Sequence, residues 1–188
     1  MKYLFIKMKI ILSCSVRVNR MSILATTRFN SDTWEENVIY RNKHNMEGCI
    51  YGTPRKIISE IPTQTSIFVI EMNNSLNRIE GIGLILNDLR VDKYYSIHSI
   101  GDYNRYTFKG KYRMDRDEIE RKNPDIVSTL DTILFKGRTN FKRGSGIMRM
   151  PRKLLDLNKD INLHQEINQI FVEFIKTDKQ KTNINITN

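Results

Sequence analysis

The stretch Ile67-Phe-Val-Ile-Glu-Met-Asn-Asn-Ser-Leu-Asn-Arg-Ile-Glu-Gly-Ile-Gly-Leu-Ile-Leu86 decides how the rest of the chain is read. It opens on β-branched, aromatic and long apolar side chains interrupted only by Glu71, a composition that suits a buried strand. Asn73, Asn74, Ser75 and Asn77 then supply turn chemistry, because their short polar side chains bond nearby backbone. The chain returns with Ile79, Ile82, Leu84 and Leu86 apolar, and glycines at 81 and 83 permit a bulge or the close approach of another backbone. The segment predicts a β-hairpin on which a sheet is built.

Outward from the hairpin, further strands are expected at 22–27, 93–98, 105–109 and 111–114, each rich in β-branched or aromatic residues. A helix follows the first of them. Ser31 or Asp32 can cap it, Glu35 completes a capping box with Asp32, and Trp34, Val38 and Ile39 share a face. It ends near residues 42–45, where Gly48 and Gly52 bracket a loop closing at Pro54. Towards the other end, Asn123 caps a helix with Pro124 in its first position, and Ile126, Leu130, Ile133 and Leu134 fall on one side. A last helix over 160–175 carries Leu163, Ile167, Ile170, Phe171 and Phe174 as an apolar stripe. Strands clustered mid-chain with helices towards both ends define an α+β domain.

The chain has 188 residues, enough for one domain with a real core and no need of disulfides or a structural metal. Residues 1–20 are expected to be an N-terminal extension, 21–175 the single domain and 176–188 a polar, disordered tail. The extension superficially resembles a secretory signal, yet Lys7 and Lys9 split its apolar run and Arg17 and Arg20 occupy the place of a small-residue cleavage site. No stretch has the length of a membrane span. An intracellular protein, cytoplasmic or nuclear, with no membrane partner is expected. Cys14 and Cys49 form no CxxC pair, and His44, His98 and His164 are too dispersed for metal-ligand spacing, so neither a disulfide framework nor a metal is expected. No nucleophile elbow, Walker loop or complete dinucleotide fingerprint is present. Asp115, Asp117, Glu118 and Glu120, interleaved with Arg116, Arg121 and Lys122, read as an exposed helix laced with ion pairs. No catalytic residue and no cofactor are expected.

Charge gives the clearest pointer to a partner. The formal net charge is +10, and Lys136, Arg138, Lys142, Arg143, Arg149, Arg152 and Lys153 fall in a stretch with no acidic residue around Lys-Arg-Gly-Ser-Gly. Concentrated cations on a glycine-bearing backbone suit the phosphates of a nucleic acid. The stretch lies between two amphipathic helices and holds Ile147, Met148 and Met150, which predicts a tethered loop. A second stretch, 101–113, alternates Tyr103, Tyr106 and Tyr112 with Arg105, Lys109, Lys111 and Arg113; on a strand this sends Arg105, Thr107 and Lys109 to one face and Tyr106 and Phe108 to the other. The candidate phosphate contacts are Arg105, Lys109, Arg138, Lys142, Arg143 and Arg149. The aromatic rings of Trp34, Tyr103 and Tyr106 each read first as packing residues.

The order of a strand, a Trp-bearing helix, an apolar strand, an Asn/Ser turn and a Gly-Ile-Gly strand resembles the PUA-like superfamily, which includes the EVE, YTH and ASCH domains. In EVE-type members a strand ending in polar residues precedes Gly-Ile-Gly or Gly-Val-Gly, here 67–74 and Gly81-Ile-Gly. The resemblance spans Ser22 to Arg113. It implies a small, curved mixed or antiparallel β-barrel with flanking helices, and recognition of RNA or of a modified base by an aromatic pocket beside a basic surface, with Trp34, Tyr103 and Tyr106 as candidate base-stacking rings and RNA favoured over DNA. Residue usage heavy in Asn, Ile and Lys also resembles that of proteins from large DNA viruses or from an AT-rich microbe. The alternative function is a non-catalytic structural or interaction protein of a viral or ribonucleoprotein particle, with the basic loop docking an acidic protein.

Overall fold

The structure, a computed structural model, describes residues 22–57, 60–136, 141–157 and 161–184, with side chains up to residue 180. The predicted hairpin is its centre: β3 (Ser66–Asn73) pairs antiparallel with β4 (Arg78–Leu86), Ile67 opposite Ile85 and Val69 opposite Gly83. Asn73 closes the turn by accepting the N–H groups of Ser75 and Leu76 on its side-chain oxygen, and Asn77 takes the left-handed conformation that asparagine tolerates, with φ of 55°. β1 (Ile23–Phe29) lies parallel to β3, so the intervening chain makes a crossover. β6 (Tyr112–Asp115) flanks β4 and the short β7 (Met148–Arg149) flanks β1, giving a five-stranded mixed sheet in the order β6-β4-β3-β1-β7. β2 (Cys49–Thr53) and β5 (Tyr106–Gly110) form a separate antiparallel ribbon.

The class is α+β. The expected barrel is not closed among the described residues: the main sheet has edges at β6 and β7, and the ribbon bonds within itself while packing on the sheet's face. Close packing replaces edge closure. A β-carbon on Gly110 of the ribbon would fall 2.0 Å from the Leu84 carbonyl oxygen of β4, so only glycine permits that approach.

The sheet is buried on both faces, which explains the near-continuous apolar runs of β3 and β4. On one side Phe68, Ile70, Ile82 and Met114 meet α2 (Arg116–Lys122), α3 (Pro124–Phe135) and α5 (Leu163–Ile184), with the Phe68 and Phe171 rings 4.9 Å apart. α3 starts as predicted, with the Asn123 side chain accepting from the Asp125 N–H and Pro124 first. α5 runs further than predicted, so the disordered tail expected from residue 176 is corrected to helix as far as Ile184. Once Leu163, Ile167 and Phe171 anchor one face, each further residue adds a hydrogen bond without a new nucleation cost, and the Lys111–Asp178 ion pair at 3.3 Å ties the polar extension to the sheet. The expected extension at 1–20 lies outside the described residues.

On the other side sit the ribbon and α1 (Ser31–Lys43). Its cap is Asn30, not Ser31 or Asp32: β1 runs out to Phe29, and the first residue beyond it closes a box in which Asn30 Oδ1 accepts the Thr33 N–H at 2.8 Å and Thr33 Oγ1 accepts the Asn30 N–H at 3.0 Å. The apolar face assigned to this helix is also corrected. Ile39 is 56% exposed, and the buried position is Asn37, flanked by Trp34 and Arg41, because its side-chain amide donates to the Ile50 carbonyl of β2. β2 occupies the expected 48–54 loop; Cys-Ile-Tyr are good strand formers, and Gly48 and Gly52 are needed where neighbouring carbonyl oxygens come within 2.1 and 2.5 Å of a would-be β-carbon. The strand expected at 93–98 is instead a loop, held by the Asn104 side chain, which accepts from the N–H groups of Ile97 and His98. In β5, Lys109 faces outward as expected, but Thr107 is buried, its carbonyl engaged by the Arg90 N–H.

Candidate functional site

The cationic stretch is tethered, as its apolar residues imply. Ile147 and Met150 are buried, Met148 and Arg149 pair with Thr26 and Ala25, and the Met150 N–H donates to the Leu24 carbonyl at 2.9 Å. Upstream, the Lys142 carbonyl accepts from Asn74 Nδ2 at 3.0 Å, and the Lys142 ammonium donates to Asn77 Oδ1. Between these anchors Gly144 and Gly146 take φ of +116° and +76°, conformations that L side chains rarely adopt. The loop is therefore a shaped turn pinned to the edge of β1 and to the β3–β4 turn.

The candidate residues separate into three places. Arg143 and Lys142 border the glycine turn; Arg149 turns away, towards a surface cavity of about 420 Å³ shared with Arg152 and His164. Lys109 lies in a wide groove of about 600 Å³ with Arg90, Lys111 and His44, and Arg105 is exposed and paired with Asp102 at 3.1 Å. Arg138 lies outside the described residues. Tyr103 reaches the cavity described next, whereas Tyr106 packs against the core under Lys56, and Trp34 stands edge-on to Phe29 at 5.2 Å with the Arg41 and Arg113 guanidinium carbons 5.5 and 5.6 Å from its ring centre. The carboxylates of 115–120 include a helix cap: Asp115 accepts from the Glu118 N–H. Among the described residues no three His, Cys, Asp or Glu side chains converge as metal ligands, and no helix is long and apolar enough to cross a membrane.

The cavity, about 350 Å³, opens where the parallel strands β1 and β3 end, between the first turns of α1, the 98–103 loop and the Gly144–Gly146 turn. Crevices at the carboxyl ends of parallel strands are where open sheets bind ligands, since the chain diverges there to both faces. Phe29 and Arg28 exploit that divergence. Phe29 turns to the ribbon side against Trp34, and Arg28 to the helical side, where its guanidinium carbon lies 4.5 Å from the Phe141 ring centre.

Arg28 is the residue that sequence reading missed. Its Nε–H donates to the Phe141 carbonyl at 2.9 Å, but both terminal nitrogens are buried with no acceptor among the described residues. Burial pulls its pKa down to about 10, which still leaves it charged at neutral pH. The neighbouring Asn74 Oδ1 is likewise buried without a donor. A buried, incompletely paired charge costs several kcal/mol, so this arrangement favours an anionic ligand. In Ala-Thr-Thr-Arg-Phe the arginine reads as an ordinary solvated strand charge; the one available signal was its place at a strand end just ahead of a helix cap.

Beside it, His98 is held from several directions. Its Nδ1–H donates to Glu36 Oε2 at 3.0 Å, its N–H and carbonyl are both bonded by the Asn104 side chain, and Tyr103 stands edge-on at 6.0 Å. Glu36 accepts in addition from the Ser99 N–H at 3.1 Å. Burial lowers the His98 pKa against the opposing pull of Glu36, so the ring is neutral at pH 7. Although partial burial pushes Glu36 up, bonds from Ser99 and His98 hold it below the usual carboxylate value. With Nδ1 committed as donor, Nε2 carries the lone pair, and it has no protein partner among the described residues.

A second polar cluster, sealed inside, explains the Gly-Ile-Gly motif. Glu71 accepts from Tyr51 Oη at 2.7 Å and from Arg113 Nε and a terminal Arg113 nitrogen at 3.1 and 2.8 Å. A β-carbon on Gly81 would stand 2.8 Å from the Glu71 carboxylate, and one on Gly83 2.1 Å from Tyr51 Oη. The glycines make room for the cluster, and the bulge the sequence allowed for falls here, between Glu71 and Met72. Burial tends to lower the Arg113 pKa, but attraction to Glu71 raises it well above its ordinary value; the Cys49 thiol is pushed up to about 12 by burial and by Glu71. A thiol so protonated is no nucleophile, and the cluster reads as a fastening of ribbon to sheet. Comparison with family models, curated proteins and solved structures finds no match for the chain.

Proposed function

We propose that this chain is a nucleic-acid-binding module of PUA-like type that takes one unstacked base into the cavity at the ends of β1 and β3, with flanking phosphate held by Arg28 and the Lys142–Gly146 turn. The observation that carries this reading is the convergence of a guanidinium lacking acceptors among the described residues and the rings of Phe29, Tyr103 and His98 on a single cavity, one wall of which is the Gly144–Gly146 turn that follows half-buried Lys142 and exposed Arg143. A base outside its stack presents a π-face to such rings while cations hold its backbone. Single-stranded RNA is favoured over duplex DNA, because a flexible strand can deliver a base without breaking pairs. The net charge of +10 supplies the long-range attraction.

A fluorescence-anisotropy titration across a salt series tests this reading. Labelled single-stranded RNA is expected to bind more tightly than duplex DNA, with log affinity falling linearly in log salt at a slope of roughly −2 for three phosphate contacts. Reversing the charge of Lys142 and Arg143 together is expected to flatten that slope without unfolding the domain. Retention of RNA unchanged by the reversal would sink the proposal, and a salt-tolerant complex with an acidic protein in place of RNA would favour the interaction-protein alternative.

A further inference from the structure

The hydrogen-bonding character of the cavity differs between its two sides, and a ligand must match both. On the helical side stands Arg28, whose two terminal nitrogens are buried and have no acceptor among the described residues. On the ribbon side the lining includes the Asp32 and Glu36 carboxylates and His98, whose Nε2 carries a lone pair, with Tyr103 beside them. The Ser99 backbone N–H, a donor that could have served a ligand there, is spent on Glu36.

Resting on the nucleic-acid reading above, we infer that His98, positioned by Glu36, reads the edge of the bound base by accepting an N–H, so that the cavity selects the N6 amine of adenine or the N4 amine of cytosine against uracil. The imidazole cannot rotate to offer a donor instead. Its Nδ1–H is taken by Glu36, its backbone is clamped by Asn104, and Gly52 lets the wall close in, a β-carbon there falling 3.3 Å from His98 Cδ2. The amine of adenine or cytosine supplies the N–H that Nε2 lacks. Uracil places carbonyl oxygens on either side of its ring N–H, and beside a bond to Nε2 those oxygens are set against the Asp32 and Glu36 carboxylates, which the second hydrogen of an amine would satisfy. Glu36 acts through His98 as a positioning residue.

The test compares wild-type binding of AMP, CMP and UMP by calorimetry, with purine riboside monophosphate, which lacks the amine, as the matched control for AMP. AMP and CMP are expected to bind about tenfold or more tightly than UMP and the amine-free purine, as for one well-placed hydrogen bond at a site that leaves its acceptor unpaired otherwise. His98→Phe, which keeps a ring against Phe29 and Tyr103, is expected to bring all four ligands within about twofold of each other at the UMP level. Should that variant not fold, the ¹⁵Nε2 resonance of His98 in the wild-type protein gives the answer: it moves on addition of AMP and not of UMP. Equal wild-type affinities, a preference that survives His98→Phe, or an unmoved Nε2 resonance in the AMP complex would overturn the role of His98 alone. Absence of binding by all four ligands and by single-stranded RNA would overturn the nucleic-acid reading itself.

Discussion

Arg113→Met is expected to lower the unfolding free energy by about 3–5 kcal/mol, read from the midpoint of a urea titration, because it strands Glu71. The Glu71 side chain is 1% exposed, and without Arg113 its only remaining side-chain donor among the described residues is the Tyr51 hydroxyl. The penalty is the desolvation of one uncompensated carboxylate, not the net worth of the pair. Accordingly the double variant Glu71→Leu/Arg113→Met, which removes both charges at similar volume, is expected to recover most of the loss. A double variant as unstable as the single one would show that the fastening acts through its shape and not through charge balance.

Arg28→Met is expected to have the opposite signature. Methionine keeps an apolar stem over Phe141 while removing a guanidinium whose two terminal nitrogens lack acceptors, so the denaturation midpoint should hold or rise. Binding should suffer: losing a charge-assisted bond to phosphate is worth about 1.5–3 kcal/mol, or roughly 10- to 100-fold in affinity for single-stranded RNA. Stability and binding are thus expected to move apart at this position, whereas at Arg113 stability alone is at stake. A variant that unfolds more easily yet binds RNA as before would assign Arg28 a purely structural role.

The fold was more legible than the site. The 67–86 hairpin, the Asn123-Pro124 helix start and the stripe Leu163-Ile167-Ile170-Phe171 could be read because each is a local pattern whose burial follows from its own period. What escaped was set by distant partners. Gly48-Cys-Ile-Tyr-Gly52 reads as a loop until Gly110 and Tyr103 supply the surfaces that its glycines clear, and Asn37 occupies the inward face of α1 because Ile50 offers a carbonyl there, at 2.8 Å. The helical reach of α5 beyond residue 175 depends on a docked first half and on Lys111, neither visible in its own polar sequence.

The same distinction holds at the cavity. Clustered charge made the Lys142–Arg149 loop visible, and Ile147 and Met150 correctly implied its tether. Arg28, Glu36 and His98 gave no such sign, since a lone arginine, glutamate and histidine separated by up to 70 positions acquire meaning only where β1, α1 and the 98–103 loop meet. Trp34, the ring that draws most attention in the sequence, proves to stand against Phe29, which itself lines the cavity.

Backbone ¹H–¹⁵N chemical-shift mapping with a short single-stranded RNA measures residue by residue where a nucleic acid sits. The largest perturbations are expected at Arg28, Asn74, His98 and Gly144–Gly146, clustered about the carboxyl ends of β1 and β3. Perturbations confined to the Arg90–Lys109–Lys111 groove, or a spectrum that RNA leaves unchanged, would contradict that placement.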